Sequence, residues 1–148
     1  MLVLDELNVA QNQFWCMGTL ISQKIFGPNA SDTIKASEAE IRRLNHMLSR
    51  FISDSDIAKI NDLAGLGYTK VNDETFELLK YAVVCSKMSN GYFDITIGSI
   101  VMLWDEYKGQ KISPVKLDIQ KLLSKVNIQD IIFNTVVIIT SVYYLFRH

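Results

Sequence analysis

The strongest constraint on this chain is a change of hydrophobic period. Phe14 to Phe26 (FWCMGTLISQKIF) is rich in β-branched and aromatic residues and ends at Gly27-Pro28-Asn29, which predicts a strand stopped by a turn. From Asp32 onward, Ile34, Ile41, Leu44, Leu48 and Phe51 recur at helical spacing. Ser31 and Asp32 stand in front of them, with side chains suited to accept from unpaired first-turn N–H groups. A strand followed by an amphipathic helix requires a mixed fold, and the later segments repeat the alternation.

The polar stretch with Ser53-Asp54-Ser55-Asp56 and Gly65-Leu66-Gly67 reads as loops, and Tyr68-Thr69-Lys70-Val71 as a short extended piece. A second helix is predicted over 73–89. Glu74 and Glu77 suit the positive end of its dipole, and Phe76, Leu79 and Val83 share one side. Asn90-Gly91 tolerates positive φ and makes a turn. Ser113-Pro114 is expected to open a third helix over 114–126, with Val115, Ile119, Leu122, Leu123 and Val126 as its apolar face. The spacing implies an α+β fold, a mainly antiparallel sheet with helices packed against it. No repeat or Gly/Ser-rich linker divides the chain, so a single domain over 1–148 is expected.

Ile131 to Phe146 (IIFNTVVIITSVYYLF) admits two readings. A membrane-spanning helix needs about 20 apolar residues, and this run is short and interrupted by Asn134, Thr135, Thr140 and Ser141. One or two strands, with a turn at Asn134 or at Thr140-Ser141, fit better than a membrane anchor. Residues 1–13 lack a basic start and a long apolar stretch, which points to a cytoplasmic chain without a secretory leader.

Several function classes are excluded by composition. The net charge is −1 with both signs interspersed, so no basic face exists for nucleic acid. Cys16 and Cys85 match no metal-binding spacing and give no disulfide framework. His46 and His148 sit in no nucleophile pattern, and His46 on the polar side of its helix has no assigned role. Two stretches remain. In Ser89-Asn90-Gly91-Tyr92-Phe93-Asp94-Ile95-Thr96-Ile97-Gly98, a carboxylate and a hydroxyl in an apolar run must be paired if buried. They pair with a ligand, or Asp94 caps local backbone while Thr96 faces solvent on an edge strand. In Met17-Gly18-Thr19, the glycine permits close approach of a ligand and the methionine offers a polarizable surface for a flat ring; a core methionine beside a strand glycine is the other reading.

Taken in order, Phe14-x-x-Met17-Gly18-Thr19, then Leu48-Ser49-x-Phe51 leading into Asp54-Ser55-Asp56-Ile57-x-x-Ile60-Asn61, then Ser89 to Gly98 with Val101, Leu103 and Trp104 behind, resemble the ApbE family of flavin transferases over residues 14 to about 133. The resemblance implies binding of FAD, magnesium-dependent cleavage of its pyrophosphate, and transfer of the FMN half to a threonine or serine hydroxyl of an acceptor protein. It also implies cofactor-binding roles for Met17 against the flavin, for Phe51, and for Tyr92, Phe93 and Asp94, which match the family's Ala-Phe-Asp segment. Tyr92 stands where the family has a small residue, and Ser99 where a proline is usual. The family's Asp/Glu-Leu-Gly-Gly-Ile-Ala-Lys-Gly motif and its later metal-holding Asp and Thr or Ser have no counterpart here, so no catalytic residue and no metal ligand is assigned. Val126 to Phe133 is still similar to the family, while 134–148 reads as a non-family tail on a truncated chain, inactive alone. The alternative is a non-catalytic flavin-binding or protein-interaction module whose apolar end acts as interface or anchor.

Overall fold

The computed structural model describes residues 8–110, 112–134 and 137–140, the last four by their backbone. It divides into two compact units, Met1–His46 and Met47–His148.

The first unit is a β-hairpin and a long helix. The stretch expected to be one strand from Phe14 is two: β1 (Val9–Cys16) and β2 (Thr19–Phe26) pair antiparallel, with Trp15 opposite Leu20 and Val9 opposite Phe26. Met17 and Gly18 form the turn between them, both in the left-handed region at φ 53° and 72°. That geometry matches the twist of a two-residue hairpin, but Met-Gly is not among the usual turn pairs, so the sequence hid it. Alternation along both strands turns Phe14, Cys16, Ile21 and Ile25 inward and leaves Trp15 and Leu20 exposed. Helix α1 (Ala30–Leu48) covers the inner face. Its Glu38 accepts from Asn12 Nδ2 at 2.7 Å, its Ser37 hydroxyl from Gln23 Nε2 at 2.6 Å, and its Arg42 guanidinium lies 4.8 Å above the Phe14 ring. The helix begins two residues before the expected start, because the Asn29 carbonyl already accepts from Thr33 N at 3.0 Å.

The second unit builds its core from Ile57, Ile60, Val71, Leu79, Val83 and Ile131, with Leu48, Phe76, Ile95, Ile128 and Phe133 packed around them. Its three-stranded antiparallel sheet has the order β3 (Tyr68–Lys70), β5 (Val137–Thr140), β4 (Ile131–Asn134). The apolar run is therefore strand here, reversing after Asn134, which lies opposite Val137; its end, residues 141–148, lies outside the described residues. Among those residues, no helix is long and apolar enough to cross a membrane. Helix α3 (Asp73–Met88) buries Thr75, Leu79, Val83 and Ser86, and its Phe76 ring meets Phe133 edge to face at 5.4 Å.

Two helices fall where no helix was expected. In α2 (Asp56–Asp62) the Ser55 hydroxyl accepts from Ala58 N at 2.9 Å, so the Ser/Asp run stays a turn through Asp54 and then caps and opens a helix. With only 7 residues it is too short to display a helical period. Helix α4 (Gly98–Tyr107) lies in a continuously apolar run, where periodicity does not separate helix from strand. Ser99 sits in its first turn, where a backbone N–H has no intrahelical partner; a proline would fit there equally well. Helix α5 (Lys116–Leu123) is shorter than expected, with Val115 in extended backbone at its cap and no capping bond from Ser113. Of its expected apolar face, Ile119, Leu122 and Val126 are half-buried and Val115 and Leu123 are exposed.

Candidate functional site

Met17 belongs to the first unit, and Phe51, Tyr92, Phe93 and Asp94 to the second. None of the five is a core residue. Met17 is 54% exposed at the hairpin tip, Phe51 67%, Phe93 45% and Tyr92 96%.

At Met17 the cost is direct: a side chain in the left-handed region is disfavoured by about 1–2 kcal/mol. Asparagine tolerates that conformation better, and Asn-Gly is the preferred pair for this turn. Met17→Asn is expected to raise stability by about 0.5–1 kcal/mol in a thermal melt. A methionine that only packed the hairpin would give the opposite stability change.

Phe51 lies between α1 and α2, in a loop braced on both sides. Its N–H donates to the Ser49 hydroxyl at 3.1 Å, and the Ser55 hydroxyl donates to the Ser49 carbonyl. The Arg50 guanidinium lies 4.3 Å from the Phe51 ring centre and donates to Asp105 Oδ2 on α4 at 2.7 Å. That bond holds the Asp105 carboxyl below the usual carboxylate range. The ring is thus backed on one side by a planar cation.

Phe93 and Asp94 lie in the segment between α3 and α4. The Phe93 N–H donates to Ser89 Oγ at 3.0 Å, and its carbonyl accepts from Ser86 Oγ at 2.8 Å. Asp94 Oδ1 accepts from Thr96 N at 2.7 Å and from Thr96 Oγ1 at 2.6 Å. The carboxylate and hydroxyl thus pair with each other. Asp94 caps the local backbone as one reading had it, but Thr96 is buried and no strand forms here. Asp94 Oδ2 accepts no hydrogen bond from a described residue and is left for another donor.

A residue outside the predicted set organises the floor of the second unit. Asp56, only 3% exposed, accepts through Oδ2 from Asn72 N and Nδ2, both at 2.9 Å, and from Thr75 Oγ1 at 2.7 Å, tying α2 to the start of α3. Burial pushes its carboxyl up, but the bonds from Thr75 and Asn72 together with the Lys59 charge outweigh it, and the group sits below its ordinary value. With the folded value below the unfolded one, this contribution is present above about pH 3.9 and is lost as pH falls through the folded value. Urea melts between about pH 6 and about pH 3 are expected to show falling stability, with a shallower fall in Asp56→Asn. On the same helix, Asn61 is buried with both side-chain amide atoms unpaired among the described residues. Nothing in the structure explains it.

Among the described residues no three His, Cys, Asp or Glu side chains gather to hold a metal ion.

The ApbE family model matches residues 17–143. The chain belongs to the ApbE family. A curated relative, the FAD:protein FMN transferase of Vibrio cholerae serotype O1, is 30% identical over 93 residues, which is 60% of this chain and 28% of that protein. Among solved structures, the ApbE protein of Thermotoga maritima superposes with a TM-score of 0.80 at 21% identity, covering 92% of this chain and 46% of its own. The flavinyl transferase ApbE of Pseudomonas stutzeri, in its apo form, gives 0.77 at 24% identity, covering 95% and 49%. The chain thus has the ApbE fold and spans about half the length of the solved relatives it matches. The family is one of transferase enzymes, and the α+β expectation holds.

Proposed function

We propose that this chain supplies the ring-contacting side of an FAD site in a magnesium-dependent FAD:protein FMN transferase. In that reaction the hydroxyl oxygen of an acceptor threonine or serine bonds to the FMN phosphorus. The bond from that phosphorus to the bridging oxygen breaks, AMP leaves, and the hydroxyl proton passes to a base. Catalysis of such a transfer is mostly positioning and charge stabilisation, which separates a part that holds the rings from a part that stabilises phosphate. This chain does the first. In the second unit Phe51 and Phe93 present apolar faces, and Asp94 Oδ2 accepts from a donor on the flavin or its ribityl chain. No metal ligand is assigned among the described residues, and no step is routed through magnesium.

The observation that supports this reading best is the treatment of Phe93. It is an exposed aromatic residue whose backbone N–H and carbonyl are both pinned by serine hydroxyls. Such an arrangement leaves the ring face open and already ordered for another flat ring to stack on. On its own the chain binds FAD and does not transfer FMN. The test is incubation with FAD, magnesium and an acceptor protein, followed by in-gel flavin fluorescence and a thermal melt. FAD is expected to raise the melting temperature with no covalent fluorescence. Robust labelling would overturn the claim of inactivity, and an unmoved melting temperature would overturn the flavin site.

A further inference from the structure

Helix α3 ends at Met88 with Ser89 as its C-cap, and Asn90 and Gly91 turn the chain back in left-handed conformations at φ 52° and 87°. The returning residue is Phe93, and both polar groups of its backbone end on serine hydroxyls. Its N–H donates to Ser89 Oγ at 3.0 Å; its carbonyl accepts from Ser86 Oγ at 2.8 Å and faces Ser89 Oγ at 3.1 Å. A hydroxyl has one proton, and Ser89 Oγ has a second acceptor at 2.8 Å in the Ser86 carbonyl. Ser86 Oγ has no such alternative and is the dedicated donor to the Phe93 carbonyl. It is 5% exposed, on the buried face of α3 with Leu79 and Val83. Three residues apart, Ser86 and Ser89 lie on the same side of the helix end. Together they replace the backbone partners that a strand or helix would have given Phe93.

We propose that Ser86 and Ser89 are positioning residues that clamp the Phe93 backbone to α3, holding the Phe93 ring and the Asp94 carboxylate in their ligand-ready placement before flavin arrives. The proposal rests on the flavin reading above and adds to it the source of the site's preorganisation. Fixing a residue's backbone has an entropy cost, and a site that has met this cost on folding does not meet it again on binding. The clamp therefore acts on affinity through order in the free protein. The hydroxyls themselves do not touch the ligand.

The test uses Ser86→Ala, Ser89→Ala, the double variant, and Ser89→Thr, which keeps the hydroxyl at the less buried position. Without flavin, chymotrypsin cleavage is mapped by mass, because Tyr92 and Phe93 are exposed targets of that protease. In the double variant, cleavage after Tyr92 and Phe93 is expected to rise about fivefold while cleavage after Phe51 and Tyr81 stays as in the unaltered chain. FAD titration of the same protein is expected to show about fivefold weaker binding, and Ser89→Thr is expected to match the unaltered chain in both assays. Unchanged cleavage after Tyr92 and Phe93 would overturn the clamp, as would an equal rise at every aromatic site, which signals general destabilisation. Faster cleavage with unchanged FAD affinity would overturn the positioning role. If the unaltered chain does not bind FAD, the flavin reading fails, while the cleavage pattern still decides whether the serines hold the loop.

Discussion

Asp56→Ala is expected to lower the unfolding free energy of the chain by about 3–4 kcal/mol, read as a shift of the urea midpoint at unchanged slope. The substitution strands the Asn72 N–H, the Asn72 amide and the buried Thr75 hydroxyl, all of which donate to one carboxylate oxygen. Hydrogen bonds to a charged acceptor contribute about 1.5–3 kcal/mol each, but water reaches exposed Asn72, so the losses do not sum in full. Against a domain stability of about 5–15 kcal/mol the effect is large. Asp56→Asn keeps the shape and one acceptor oxygen, and is expected to cost about half as much. Should the alanine variant fail to fold, the asparagine variant carries the comparison. Equal stability of Asp56→Asn and the unaltered chain would show that the carboxylate is not the anchor between α2 and α3.

Phe51→Ala and Phe93→Ala are expected to weaken FAD binding about tenfold each while changing stability by no more than about 1 kcal/mol. Stacking of a flat heteroaromatic ring on an aromatic side chain contributes about 1–3 kcal/mol, and tenfold corresponds to about 1.4 kcal/mol. The stability effect is small because both rings are largely exposed. What Phe51→Ala does lose on folding is the Arg50 guanidinium contact at 4.3 Å, about 0.5–1 kcal/mol at an exposed site. Large losses of stability with intact FAD affinity would instead assign these rings to packing.

The parts of the fold legible in the sequence were those with a clear period and clear punctuation. Helices α1 and α3 fall close to the expected 32–50 and 73–89, because Ile34, Ile41 and Leu44 in one, and Leu79 and Val83 in the other, mark a buried face. The Asn90-Gly91 turn was readable because both residues accept positive φ, and they have it. The hairpin was hidden by Met17, a residue that does not advertise a left-handed turn, so β1 and β2 merged into one strand. The family resemblance sets this same methionine against the flavin, and backbone strain of the kind it carries gathers at ligand sites. Helix α2 was concealed by the polar cap Ser55, and α4 by the uniformly apolar run that contains it.

The site divides in the same manner. Met17, Phe51, Tyr92, Phe93 and Asp94 were named through resemblance to a family, and the structure places all of them off the core on defined turns and loops. Asp56, Ser86 and Ser89 were not assigned roles. Asp56 acts across 16 and 19 residues of sequence, and Ser86 reaches a backbone carbonyl seven positions away. A spacing rule within one helix or strand does not register such contacts; only the turn at Asn90-Gly91 hints that the chain leaving α3 doubles back onto the helix.

The proposed function rests on a flavin-stacking surface formed in part by Phe51 and Phe93. Equilibrium titration of FAD fluorescence with the purified chain, alongside the Phe51→Ala/Phe93→Ala double variant, tests it most directly. Saturable quenching by the unaltered chain, with affinity lower by at least about tenfold in the double variant, is the expected result. Absence of saturable quenching, or the same curve for both proteins, would contradict it.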